Sequence, residues 1–207
     1  MTGPKERFHR SPTRIYCIAD TVALCEALLN AGARVIQLRN KSADDNTFRN
    51  MAMQMLARVR RFDDAVLMVN DRVDIAVEIN ADGVHVGQKD EDLREVMRRV
   101  PDRMIVGVSA RYPDVAEAAA RSGATYVGTG AVFATSTKPE ATVIGLQGLR
   151  AVVERVTIPV VAIGGISVEN IRQVIAAGAR YCAVISEITH ASDAAAAYGR
   201  LASACSD

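Results

Sequence analysis

The sequence predicts a closed (β/α)8 barrel, a TIM barrel of eight parallel strands, and three observations carry that expectation. Eight short runs rich in Val and Ile recur along the 207 residues, each bounded by turn-forming residues. The runs are apolar almost throughout rather than alternating, which is the pattern of parallel strands covered on both faces. Between them lie segments with apolar residues at helical spacing, so strand and helix alternate. An open doubly wound sheet, the competing arrangement, usually has fewer strands at this length.

The strands are expected at residues 14–19, 34–38, 65–70, 83–87, 104–108, 126–130, 160–163 and 181–185. Leu24, Leu28 and Leu29 share one helix face, as do Val115, Ala118 and Ala119, and Ile171, Val174 and Ile175. Asp20 and Ser167 can cap the helices that begin after them, and Pro113 suits a first turn. The tails Ala31-Gly32-Ala33, Ser122-Gly123-Ala124 and Ala177-Gly178-Ala179 place Gly where a helix ends in the left-handed region. Each leads within a few residues to the next strand, a weak internal repeat of βα units. Residues 1–12 read as a frayed tail, 13–207 as one barrel domain, and the polar segment 133–146 as a mobile loop over the barrel mouth.

Composition narrows the function. With 49% apolar residues the chain can bury a sizeable core, and a formal net charge of +1 gives no bulk attraction to nucleic acid or an acidic membrane. Five Tyr, four Phe and no Trp make a base-stacking surface a poor reading, so anion binding has to be local. Cys17, Cys25, Cys182 and Cys205 form no C-x-x-C pair and have no His at zinc spacing, so they are expected as reduced, non-catalytic thiols. The N-terminus lacks the apolar core of a secretory signal, and no apolar stretch is long enough to span a bilayer. A cytoplasmic protein is expected. Apolar helix faces leave homo-oligomers open.

In this architecture the C-terminal strand ends and the loops after them build the active site. Gln37 and Arg39 fall on one side of their strand, with Lys41 just beyond it. An Arg fork beside a Lys point charge suits a diphosphate. The bland alternative is a solvated pair bridged to Asp44 or Asp45. Asn70-Asp71 and, after the next strand, Asp90 bring two carboxylates to neighbouring strand ends, which fits Mg2+ held by few carboxylates plus phosphate oxygens and water. Against that reading, Asp71 could pair with Arg72, and Asp90 could simply open a helix. Ser109 reads as a hydrogen-bonding hydroxyl, since no His–Asp pair is placed to activate it. His85 reads equally as a packed barrel residue or a base; His9 and His190 receive no role. Gly164-Gly165 after strand seven and Ile185-Ser186 after strand eight occupy the usual phosphate position of such barrels.

With these residues placed, the chain resembles thiamine-phosphate synthases, the family that joins the two halves of thiamine. The resemblance runs from Ile15-Tyr16-Cys17-Ile18-Ala19-Asp20 to about Ser186. It is carried by Val35-Ile36-Gln37-Leu38-Arg39-Asn40-Lys41, by Val69-Asn70-Asp71-Arg72-Val73-Asp74, and by the 81–90 stretch with Gly83-Val84-His85-Val86-Gly87-Gln88-Lys89-Asp90. Tyr126-Val127-Gly128-Thr129-Gly130 with Thr135-x-Thr137-Lys138, and Val161-Ala162-Ile163-Gly164-Gly165-Ile166, complete it.

The resemblance implies two small-molecule substrates, a hydroxymethylpyrimidine diphosphate and a thiazole phosphate, with Mg2+ as cofactor. It implies that Gln37, Arg39, Lys41, Asn70, Ser109 and Lys138 hold the pyrimidine diphosphate, that Leu38, Asn40 and Ser136 are also among the substrate-binding residues, and that Asp71 and Asp90 bind the metal. Thr135, Thr137, Gly165, Ile185 and Ser186 would hold the thiazole phosphate. Arg39, Lys41, Ser109 and Lys138 would act in catalysis. The implied chemistry is dissociative: diphosphate leaves, a pyrimidine methylene cation forms, and the thiazole attacks it. Two positions depart from the family pattern, Asn40 where Glu is common and Ser136 where Pro is common. Rival readings are a thiazole tautomerase, which needs the phosphate cradle but not the metal half, and a non-catalytic sensor of thiamine precursors.

Overall fold

The computed structural model describes residues 2–88 and 90–205, and its eight strands close into one parallel barrel in sequence order, β1 pairing with both β2 and β8. The first half runs α1 (Pro4–Arg10), β1 (Ile15–Ala19), α2 (Val22–Asn30), β2 (Val35–Leu38), α3 (Asp45–Val59), β3 (Val66–Asn70), α4 (Val73–Glu78), β4 (Gly83–Val86) and α5 (Leu93–Arg99). The second half runs β5 (Ile105–Ser109), α6 (Pro113–Arg121), β6 (Tyr126–Thr129), α7 (Gly145–Arg155), β7 (Val160–Ile163), α8 (Ile171–Ala176), β8 (Tyr181–Val184), α9 (Ser186–Thr189) and α10 (Ala194–Ala204). Every expected strand exists, with ends shifted by at most one residue.

Alternation along the strands sorts the core into two layers. Cys17, Ile36, Leu38, Leu67, Val69, Val84 and Val106 pack outward against the helices. Tyr16, Ile18, Val35, Val66, Met68, Ile105, Tyr126, Val161, Tyr181 and Ala183 fill the interior together with Phe8. Two helix faces are as expected, Leu28 and Leu29 on α2 and Ile171 and Val174 on α8 being buried. On α6 the buried face is Ala116 and Ala119, and Ala118 is exposed. Pro113 opens α6, and Gly32, Gly123 and Gly178 take positive φ at the helix ends. The caps differ from expectation. Thr21, one residue after Asp20, accepts from Leu24 N, and Ser167 donates its amide to the Asn170 side chain, with α8 starting only at Ile171.

The expected frayed tail needs correction. Pro4–Arg10 forms α1, whose Phe8 is fully buried against the Tyr126 and Tyr181 rings at centroid distances of 5.1 and 4.8 Å. Arg7 pairs with Asp82, whose other carboxyl oxygen accepts from Leu67 N, and Tyr181 donates its hydroxyl to the Phe8 carbonyl. The helix closes the bottom of the barrel because that end would otherwise expose the lowest layer of interior aromatics to water. All four cysteines are unpaired. Among the described residues no helix is long and apolar enough to cross a membrane.

Candidate active site

The expected site residues from β2 to β8 stand at or just past the C-terminal strand ends. Gln37 is buried on the inner face of β2, where its amide donates to Tyr16 Oη at 2.8 Å. Arg39 follows, its amide bonded to the Ala19 carbonyl. Its side chain lines a cavity of about 350 Å3 with Ile18, Asp20, Ser136, Thr137, Ile185, Thr189 and His190. This cavity joins the ends of β1, β2 and β8 and the loop after β6, four separate parts of the chain. A larger cavity of about 540 Å3 opens at the opposite end of the barrel, near Lys5, Pro159 and Arg180, and none of the expected site residues lines it.

Not every expected residue faces the mouth. The Leu38 side chain is fully buried among the helix-facing residues, which leaves only its backbone toward the barrel mouth. The Asn40 side chain is engaged in its own loop. Its oxygen accepts from Ser42 N, Ser42 Oγ and Ala43 N, and its amide donates to the Asp20 carbonyl. Lys138 is exposed further along the loop that carries Ser136 and Thr137, and Thr135 Oγ1 accepts from Thr137 N to shape that loop.

The carboxylate pair is brought together. Asp71, at φ 61°, donates its amide to the His85 carbonyl, which ties the end of β3 to β4. Burial, and then the Asp90 carboxyl within hydrogen-bonding reach, push the Asp71 carboxyl above its ordinary range; Lys41 Nζ, 3.2 Å from Asp71 Oδ2, pulls the other way. Neither bland alternative holds. Arg72 pairs with Asp45 and stacks on Phe48, and α5 is capped by Asp92, while Asp90 accepts from Gly87 N at 2.6 Å. Lys89 lies outside the described residues. Two adjacent carboxylates, one half-buried and destabilised by the other, fit a hard divalent cation that takes its remaining ligands from water and phosphate. Among the described residues no cluster of three or more His, Cys, Asp or Glu side chains gathers.

At the end of β7, Gly164 and Gly165 have φ of 101° and 63°. A Cβ on Gly164 would meet Ala131 Cβ at 2.6 Å, and one on Gly165 would meet the Ala134 carbonyl oxygen at 2.3 Å. The two glycines therefore let the loop after β6 lie against β7, where Val132 N and Phe133 N donate to the Ile163 and Gly164 carbonyls. Ile185 and Ser186 lead from β8 into the short turn of α9.

The profile of the family described as "Thiamine monophosphate synthase" matches residues 12–188. The chain belongs to the thiamine monophosphate synthase family. The thiamine-phosphate synthase of Pyrococcus abyssi is 40% identical over 189 residues, covering 89% of this chain and 90% of its own. That of Chloroflexus aurantiacus is 44% identical over 180 residues, 86% and 82% of the two chains. The solved thiamine phosphate pyrophosphorylase of Pyrococcus furiosus superposes with a TM-score of 0.87 at 37% identity, covering 93% and 95%. A 3-hexulose-6-phosphate synthase, at 20% identity and a TM-score of 0.70, shares the fold alone.

In this member of the thiamine monophosphate synthase family, residues with no expected role also face the site. Asp20, Thr189 and His190 line the Arg39 cavity. Inside the barrel, Tyr16 and Tyr126 join hydroxyls at 2.8 Å, Tyr126 Oη meets His85 Nδ1 at 2.9 Å, and His85 Nε2 meets Ser109 Oγ at 3.0 Å. Burial lowers the His85 pKa to about 4, so its ring is neutral at pH 7. The signal for this network lay in the sequence as two tyrosines inside strands, where a buried hydroxyl requires a partner.

Proposed function

We propose that the protein is a thiamine-phosphate synthase, joining 4-amino-2-methyl-5-(diphosphooxymethyl)pyrimidine to a thiazole phosphate with release of diphosphate. The observation that carries this reading is the meeting of Lys41, Asp71 and Asp90 at one rim, beside the cavity lined by Arg39. A thiazole tautomerase has no use for that metal and diphosphate half. The curated relatives carry the same activity in their names.

In this reading Arg39, Lys41 and Lys138 face the diphosphate, with Gln37, Asn70 and Ser109 around the pyrimidine. Thr135, Ser136, Thr137, Gly165, Ile185 and Ser186 serve the thiazole phosphate. Asp71 and Asp90 would hold Mg2+, which when bound supplies electrostatic stabilisation of the charge gathering on the leaving diphosphate. The bond from the methylene carbon to oxygen breaks, its electrons go to diphosphate, and the thiazole attacks the cation left behind. Cations set on the leaving-group side lower this barrier without any protein nucleophile. Ser109 is not such a nucleophile: its Oγ stands 3.0 Å from His85 Nε2 as a hydrogen-bonding hydroxyl, and the dissociative step needs no attack by the protein. Asn40 acts by holding the loop after β2, binding Ser42 and Ala43 on one side and the Asp20 carbonyl on the other. Four unpaired cysteines, three of them buried, suit the reducing cytoplasm.

The test that separates the two enzymatic readings supplies the thiazole phosphate alone and then with the pyrimidine diphosphate. A synthase consumes thiazole phosphate only when both are present. Isomerisation of the thiazole phosphate alone would favour the tautomerase.

A further inference from the structure

A hydrogen-bonded chain crosses the barrel from one expected substrate residue to another. It runs from the Gln37 amide to Tyr16 Oη (2.8 Å), to Tyr126 Oη (2.8 Å), to His85 Nδ1 (2.9 Å), and from His85 Nε2 to Ser109 Oγ (3.0 Å). Residues from β1, β2, β4, β5 and β6 take part, so the chain is a product of barrel closure and not of any local motif.

Two glycines make room for it. A Cβ on Gly107 would stand 2.0 Å from Tyr126 Cζ and 2.3 Å from its Oη, and one on Gly128 would stand 3.0 Å from His85 Cε1. The Tyr126 and His85 rings stack there, with centroids 5.5 Å apart and planes at 25°. Side chains at Gly107 and Gly128 would push the two central members apart. The barrel forgoes two packing side chains at the positions beside the chain.

We propose that Tyr16, Tyr126 and His85 are positioning residues, forming a one-way hydrogen-bond chain that keeps Ser109 as a proton donor toward the barrel mouth. The direction follows from counting protons. Tyr16 Oη accepts from Gln37, so its single proton goes to Tyr126; a proton left unpaired inside the barrel would carry a desolvation penalty. Tyr126 then donates to His85 Nδ1, which leaves the ring proton on Nε2, and Nε2–H donates to Ser109 Oγ. The Ser109 hydroxyl proton has no remaining place in the chain and is offered to a ligand. That polarity suits an anionic ligand, since an anion accepts hydrogen bonds and cannot donate them. The assignment of a role in turnover rests on the synthase reading; the polarity of the chain does not.

The experiment uses full-length protein with 15N-labelled histidine. The chain has three histidines, and the His85→Gln variant identifies the His85 ring signals. At neutral pH, ring 15N shifts should report the Nε2–H tautomer for His85, and Tyr126→Phe, which removes the donor to Nδ1, should abolish that bias. In the synthase assay, Tyr126→Phe should lower kcat by roughly tenfold with both KM values within about twofold, the size expected for loss of one oriented hydrogen bond. Tyr181→Phe removes a phenol of the same interior that donates to the Phe8 carbonyl outside the chain, and its kcat should stay within about twofold of wild type. An Nδ1–H tautomer overturns the proposed direction. A Tyr126→Phe variant, folded by circular dichroism, whose kcat falls no further than that of Tyr181→Phe overturns the positioning role. If wild-type protein makes no thiamine phosphate, the synthase reading and the role in turnover fail together, while the tautomer still decides the direction.

Discussion

Lys41 Nζ stands 3.2 Å from Asp71 Oδ2, joining the loop after β2 to the end of β3. The same Asp71 carboxyl is pressed by Asp90 from the next strand, so one lysine and two carboxylates share the rim. A divalent cation between the carboxylates would relieve their repulsion. Asp71→Asn is expected to abolish the Mg2+-induced rise in melting temperature and to lower kcat by at least about 10²-fold, with the far-ultraviolet circular dichroism unchanged. A full Mg2+-dependent shift in the variant would remove Asp71 from the metal site.

Arg39 offers a planar fork to the cavity that Ser136, Thr137 and Ile185 help to line. Arg39→Ala should reduce kcat/KM for the pyrimidine diphosphate by about 10²–10³-fold. Arg39→Lys keeps the charge without the fork and should recover only part of that loss. Steady-state kinetics with each substrate varied in turn checks both. Equal activity of the two variants would mean that geometry at this position does not matter.

Phe8 provides a test of how the barrel is closed below. Its ring is fully buried against Tyr126 and Tyr181, so Phe8→Ala should destabilise the fold by about 3–5 kcal/mol in urea denaturation. A frayed tail would give a change near zero.

The barrel was legible because its signals are long-range in number but local in form: eight apolar runs alternating with segments of helical spacing, three of which end in a Gly tail. What α1 does was not legible. Its seven residues carry one buried aromatic among charged neighbours, a pattern shared by exposed tails, and only barrel closure creates the hole that Phe8 fills. The same reason explains the site. Positions at or after strand ends made Arg39, Lys41, Asp71, Asp90 and Ser109 candidates, because the architecture fixes where strand ends go. Side-chain direction was harder. Leu38 turns to the helices by alternation, a reading the sequence permitted, whereas the engagement of Asn40 with Ser42 and Ala43 depends on the turn its loop makes. The contact of His85 with Ser109 needed the register of β4 against β5, which pairs His85 with Gly107 and is not encoded in either strand alone.

Gly164 shows how a shared motif can have two duties. At φ 101°, with Ala131 Cβ 2.6 Å from where a methyl would sit, Gly164→Ala must both strain the backbone and displace the loop after β6. The expected result is a loss of about 1–3 kcal/mol in stability and a raised KM for the thiazole phosphate, read by thermal unfolding and kinetics. Unchanged KM in a destabilised variant would assign the glycine to packing alone.

In the proposed reaction two phosphorylated substrates are joined at this rim with metal assistance. The most direct measurement incubates the purified protein with the pyrimidine diphosphate, the thiazole phosphate and Mg2+, and quantifies thiamine phosphate and diphosphate in the same reaction. Both products should appear together in equal amounts and vanish when the metal is chelated. Folded protein that binds either substrate yet yields neither product, or product formation indifferent to chelation, would contradict the proposed reaction.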